Sequence, residues 1–353
     1  MTDALWATLV ACLLFILTAP SLGRRLPPST ATRLLVPASL AIAASTLLLL
    51  GVLALTWLGQ LPAVAALGPW STSRLQAIDP VPDPLAAVSL LLLTAAAVRT
   101  AVTVTRRLRA LAVVYQAARG PRSADPVIVL DSAWPDAFTT PAPAARIVVT
   151  SGLLQALTPA ERRVVLAHEH SHLVHRHVWW TLAAELAAGV NPFLRPTATA
   201  AGHAVERWAD EDAARSVGDR QLVARTIART ALLQHDAPRW AGPSALAATG
   251  GDVSGRVHAL LARPPRRRPF ALAALTALLI ASALATYALE RSGEQLFDVA
   301  ALPAHTRTVG PAAHHFHRHV TSPAAHVTGA TTHPRRPAHH ATRHIKVASH
   351  EAA

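Results

Sequence analysis

Cysteine is nearly missing from this chain: Cys12 is the only one in 353 residues. A single thiol excludes any disulfide framework or thiolate metal site within one molecule. Charge is scarce as well. Charged residues make up 15% of the chain against 51% hydrophobic ones, a balance that argues against an ordinary soluble globule and for membrane insertion. Lysine is reduced to Lys346, so arginine carries nearly all the positive charge. The first apolar run is preceded by Asp3 and by no basic residue. It therefore lacks the positive leader of a cleaved signal peptide and is expected to stay as an anchor.

What is present begins with four apolar runs, residues 4–19, 34–58, 85–104 and 270–289. A helical crossing needs about 20 residues, so the first is short and the other three are ample. The formal charge of +13 would suit a nucleic-acid partner, but its distribution records topology instead. Arg24, Arg25 and Arg33 follow the first run, Arg106, Arg107 and Arg109 follow the third, and Arg263, Arg266, Arg267 and Arg268 precede the fourth. By the positive-inside rule the N-terminus and everything beyond residue 290 are expected outside a plasma membrane, with residues from about 105 to 269 in the cytoplasm. The expected organisation is a three-helix membrane domain (1–105), a cytoplasmic domain (106–269), a fourth transmembrane helix (270–290) and a tail (291–353). The tail holds eleven of the nineteen histidines and few large apolar residues. It cannot bury a core and is expected to be disordered.

The chemistry is concentrated in 158–177. Thr158, Pro159 and Glu161 spell a helix start with a capping box. Ten residues on comes His168-Glu169-His170-Ser171-His172. On a helix His168 and His172 share a face and can hold one metal ion, while Glu169 sits beside it as general base toward a metal-bound water. His170 points elsewhere, and His175 and His177 are expected to be solvated. Upstream, Val127–Leu130 and Ile147–Thr150 read as β-branched strands. Their role stays open between an edge that pairs with an extended peptide and a hairpin that merely covers the helix.

A catalytic zinc takes three protein ligands and a water. Glu185, thirteen residues past His172, would lie about 20 Å away on a continuous helix. Glu206 follows the breaks at Asn191-Pro192 and Arg195-Pro196, where the chain can fold back, and is the expected third ligand. The unequal arms require one of them to bend, and Gly189 is the expected place. Asp210, one turn past Glu206, is placed to accept a hydrogen bond from a ligating histidine. Glu211 and Asp212 are expected at the surface, as is His203. Residues 178–194 are apolar but interrupted by Glu185. A single crossing would carry the following chain to the other side from His168, so this stretch is expected to pack on the membrane domain or dip partly into the lipid.

These residues resemble a family. His168-Glu169-His170-Ser171-His172 followed by Glu206-Arg-Trp-Ala209-Asp210 is similar to the membrane gluzincins, and the order of three spans, zinc domain and fourth span resembles the BlaR/MecR antirepressor metallopeptidases, which also have an Asn-Pro between the two motifs. More distantly, Arg256-Val257-His258-Ala259-Leu260 resembles an element of HtpX and the CAAX proteases. The penicillin-binding sensor of the antirepressors has no counterpart here. The resemblance implies a mainly α-helical polytopic membrane protein with a cytoplasmic α+β gluzincin metallopeptidase domain between its third and fourth transmembrane helices. It implies Zn2+ held by His168, His172 and Glu206, with Glu169 catalytic and Asp210 behind a ligand. The expected activity is endoproteolysis of cytoplasmic or membrane-proximal proteins, a transcriptional repressor among them. The expected partners are a protein or peptide substrate and the lipid bilayer, with no direct nucleic acid; the oligomeric state is not legible. The competing reading is a non-enzymatic metal-handling membrane protein whose tail histidines bind metal.

Overall fold

Long helices form where nothing polar stops them. The chain opens with α1 (Thr2–Arg24) and α2 (Pro28–Leu58), continues through the short α3 (Pro62–Ala65) and α4 (Thr72–Ile78), and then runs through α5 (Asp83–Ala117). Three short strands follow, β1 (Val127–Leu130), β2 (Ala137–Thr139) and β3 (Ile147–Thr150), then α6 (Ser151–Ala156), α7 (Pro159–Val174) and α8 (His177–Val190). A 3₁₀ turn at Pro192–Leu194 leads into α9 (Arg195–Val217) and α10 (Arg220–His235); α11 (Val253–Leu261) and α12 (Pro269–Ala301) complete the order. The computed structural model describes residues 2–78, 81–117, 126–140, 145–235, 252–263 and 268–301. The His-rich tail beyond 301, with the disorder expected of it, lies outside the described residues, as does 236–251.

Helices α1, α2, α5 and α12 are each long and apolar enough to cross a membrane. Even α1, with 23 residues, extends about 34 Å against a hydrocarbon thickness of about 30 Å. The chain is thus a mainly helical, multi-pass membrane protein in which the zinc-motif helices lie between the third and fourth candidate spans. The fourth helix outruns its apolar stretch and carries what read as the start of the tail. Phe297 stacks edge-on against Trp70 with ring centroids 5.1 Å apart, Ser71 N donates to the carbonyl of Ala300, and Ala300 is buried. Trp70 in turn donates its indole N–H to Gly59 O. Residues 60–78 are therefore folded against the end of α12.

The sheet also departs from expectation. β1 and β3 are parallel, in register Val127↔Ile147 through Leu130↔Thr150, so they are not the two arms of a hairpin. The unexpected strand β2 pairs antiparallel with the other side of β3, giving the order β1-β3-β2. Three residues of Ala-Phe-Thr are too few to show an alternation, which is why the pattern is silent there. β3 is buried along its whole length, and Ile147, Val149, Leu153 and Leu157 form one small core beneath α7.

A second core is shared by the candidate spans and the zinc domain. Phe15, Ala19, Leu35, Val36, Ile42 and Ala43 from α1 and α2 pack with Ala184 and Ala187 from α8, Leu194 from the 3₁₀ turn, and Ala201 and Ala204 from α9. Arg33 on α2 lies over the Trp208 ring of α9, 4.8 Å from its centroid, a contact worth about 0.5–1 kcal/mol or more. The membrane helices and the zinc helices are a single packed body in the described chain.

Candidate metal centre

The start of α7 is built as its sequence dictates. Glu161 N donates to Thr158 Oγ1, Glu161 Oε2 accepts from Thr158 N at 2.9 Å, and Pro159 occupies the first turn. Arg229 from α10 adds two contacts of 3.0 Å to the same carboxylate. This cap sets the helical phase of His168 and His172 nine residues on. α7 then ends at His175, and Arg176 takes a left-handed conformation (φ 52°). Such a φ strains a residue with a Cβ. It turns the chain off the axis of α7 into α8, which packs on α2, α5 and α9, and the bend expected at Gly189 falls here instead. Gly189 sits in the last turn of α8, where an added Cβ would meet Thr100 and Thr103 of α5 at 3.5–3.6 Å.

The fold brings His168, His172 and Glu206 together. Nε2 of His168 and Nε2 of His172 are 3.1 Å apart, and the Glu206 carboxylate oxygens are 3.6 and 3.7 Å from them. One donor atom from each residue falls within 4.8 Å of the others. Tetrahedral zinc with bonds of about 2.1 Å separates its ligands by about 3.4 Å, so this donor set fits the ion. The electrostatics agree. Burial opposes charge on His168, yet Asp210 and Glu206 push its pKa up to about 10. Burial likewise works against the Glu206 carboxylate, and His172, His168 and Arg256 hold it well below the usual carboxylate range. A position that attracts positive charge between two imidazoles and a carboxylate is one that a divalent cation suits.

Asp210 is 1% exposed. Its Oδ1 lies 3.1 Å from His168 Nδ1 but off the line of the ring N–H, so the contact is mainly electrostatic. Its main partner is Arg256 on α11, which donates to both oxygens at 2.8 and 2.7 Å and also reaches Glu206 at 3.2 Å. Buried Asp210 is nonetheless held below its ordinary pKa, chiefly by Arg256. The sequence pattern singled out Arg256 only through its resemblance to a family element, without its partners.

Two more residues escaped the sequence reading. Thr139, on β2, donates its hydroxyl to Glu169 Oε2 at 2.7 Å; nothing in a lone threonine signals that. His177 was expected in solvent but is 1% exposed, with Nδ1 3.0 Å from His172 Nδ1. Its ring lies tilted against Trp208, centroids 5.0 Å apart. Burial and the neighbouring His172 and His175 hold its pKa far below the ordinary value, so the ring is neutral. On one unbroken helix His177 could not face His172; the left-handed Arg176 makes that possible. His175 is half-buried and pairs with Asp212 at 2.9 Å, which also accepts from Ser171 at 2.8 Å. Glu211 pairs with Arg220. These acids tie α9 to its neighbours and are not the solvated pair expected. Glu185 is taken up by Arg107 of α5, away from the cluster. His170 is exposed, and His203 is half-buried in the wall of the cleft.

That cleft, about 2100 Å³, runs from Trp134–Thr140 past the His168–His172–Glu206 cluster to Arg99 and Gly189. A His-Glu-x-x-His helix facing a glutamate from a second helix, with an edge strand alongside, is the plan of a gluzincin metallopeptidase. Residues 99–190 match the model of Peptidase family M48, a stretch that contains both motif histidines and Glu169 but stops short of Glu206. No curated protein and no solved structure matches the chain. The protein carries an M48-type metallopeptidase domain with a potential metal-binding cluster, in a chain with four helices able to cross a membrane.

Proposed function

We propose that this protein is a membrane-integrated zinc endopeptidase that hydrolyses peptide bonds of cytoplasmic or membrane-proximal proteins. The observation that carries the reading is Glu169 standing next to a three-donor cluster, its carboxylate already gripped by Thr139. His168, His172 and Glu206 would hold the ion, with Asp210 and Arg256 steadying His168 and Glu206 from behind. When bound, zinc supplies a Lewis acid for the scissile carbonyl and lowers the pKa of water. Glu169 takes the proton from the attacking water and delivers it to the leaving amine. Thr139 holds Oε2, and Oε1 accepts from no described residue, so one oxygen is left for the proton. Among the described residues the outer edge of β2 has no strand beside it in the sheet, and β2 lines the cleft. An extended substrate would add there as a strand, with its backbone aligned along α7.

The arginines near α1, α5 and α12 support a cytoplasmic zinc domain. The spans-and-domain order supports regulatory proteolysis of the BlaR/MecR kind, with a repressor as substrate. Glu169→Gln tests the core of the proposal: it keeps size and polarity but cannot take a proton. Zinc content should stay at one per chain while cleavage of a protein substrate, found by comparing cellular proteins with and without the variant, falls by about 10²–10⁴-fold. If the wild type cleaves nothing, and removing residues 302–353, which hold all eleven tail histidines, abolishes the metal-linked phenotype, the non-enzymatic metal-handling reading replaces this one.

A further inference from the structure

The turn between α8 and α9 reaches the depth of the candidate spans. Two side chains fix its level. Asn191 Nδ2 donates to Thr46 Oγ1 at 3.1 Å, and Arg99 donates to the carbonyls of Gly189 and Val190 at 3.0 and 3.2 Å. Thr46 lies about 20 Å along α2 from Arg33 and about 18 Å from the other end of that helix at Leu58. Arg99 lies about 24 Å along α5 from Asp83 and about 10 Å from Arg106. Two helices measured from separate ends therefore place residues 189–191 about 10–20 Å inside the arginine-rich boundary, in a hydrocarbon layer about 30 Å thick. The level follows from contacts within the protein and holds for either orientation of the bundle.

Backbone at such a depth must find its partners inside the protein. The end of α8 does. Arg99 caps two of its terminal carbonyls, where the helix dipole also favours a cation, Asn191 Oδ1 accepts from Phe193 N at 3.1 Å, and Asn191 Nδ2 is used by Thr46. An arginine within an apolar helix is thereby accounted for. Packing follows the small-residue habit of membrane helices: Ala184, Ala187, Ala188 and Ala201 are buried against α1 and α2. At the tip Leu194 is fully buried but Phe193 is 72% exposed. About 15 Å back along α8, Trp179 is 48% exposed, at the level where interfacial tryptophans gather. Of the remaining charges, Glu185 meets Arg107, and Arg195 is exposed along the wall of the cleft.

We propose that residues 184–201 form a re-entrant helical hairpin that enters the bilayer from the arginine-rich side and returns, its tip at Phe193 in contact with lipid acyl chains. Because it returns, His168 and Glu206 stay on one side. The metal cluster then stands about 15 Å up α9 from the tip, near the headgroups.

Unmodified protein in proteoliposomes containing a phospholipid with a diazirine at the end of one acyl chain tests this. After photolysis, adducts are expected on residues 190–196 as well as on the exposed face of α2 around Leu47, with none on 159–174. Labelling of α2 without labelling of 190–196 would overturn the proposal. A spin label on Phe193→Cys in a Cys12→Ser background gives a second reading. Its relaxation should respond to oxygen more than to a water-soluble chromium complex, as at Leu47→Cys; a profile like that of exposed Arg163→Cys would overturn the hairpin.

Discussion

Asp210→Asn tests how the site is held. The carboxylate is 1% exposed, takes both donors of the Arg256 fork at 2.7–2.8 Å and touches His168 Nδ1 at 3.1 Å. Asparagine keeps the shape and removes the charge. Breaking a buried pair by removing one partner costs about 3–5 kcal/mol. Arg256 keeps Glu206 at 3.2 Å, so the lower end, about 3 kcal/mol, is expected here. Loss of a carboxylate behind a ligating histidine weakens metal binding about 10–100-fold. The two effects separate in the double variant Asp210→Asn/Arg256→Gln, which removes the stranded cation. Thermal unfolding in lipid nanodiscs should show part of the stability returning, while competition with a chromophoric chelator should show zinc affinity still depressed. If the single variant changes neither quantity, or the double variant restores both, the link from Asp210 through His168 to the ion is wrong.

Thr139→Val removes a 2.7 Å hydrogen bond to a charged group, worth about 1.5–3 kcal/mol; kcat should fall about 10–100-fold with zinc retained, and Thr139→Ser should recover most of it. Glu161 has a depressed pKa from its contacts with Thr158 and Arg229, against a burial effect that raises it. The stabilisation it gives α7 is therefore complete above the ordinary glutamate range and lost as pH falls through the lower folded value. Glu161→Gln should flatten that acid limb in thermal unfolding measured against pH. A reporter active only in the cytoplasm should work when fused near residue 150 and fail after residue 300; the reverse pattern would invert the proposed orientation.

The residues that specify the site locally could be read in one dimension. Capping box, i,i+4 histidines and the glutamate beside the first of them are relations within four residues on a helix, and backbone geometry alone places them. The apolar runs were legible for a similar reason, since length and composition suffice to mark a helix able to span lipid. Even Glu206 and Asp210 could be nominated, because the Asn191-Pro192 and Arg195-Pro196 breaks announce that the chain turns back. What tertiary structure decided was every relation that depends on how a turn is taken or on who packs behind whom. The left-handed Arg176 brings His177 onto His172, a backbone state no residue pattern marks. β1 and β3 pair in parallel while β2 pairs on the far side of β3, and the three residues of β2 carry too short a period to reveal it. Arg256 and Thr139 reach Asp210 and Glu169 across 46 and 30 residues of chain, and Arg99 reaches Val190 across 91. Local propensity carries no information over such separations; they close only when tertiary packing sets the sheet beneath α7 and joins α7, α9, α10 and α11 through Val164, Ala213, Val223 and Leu260.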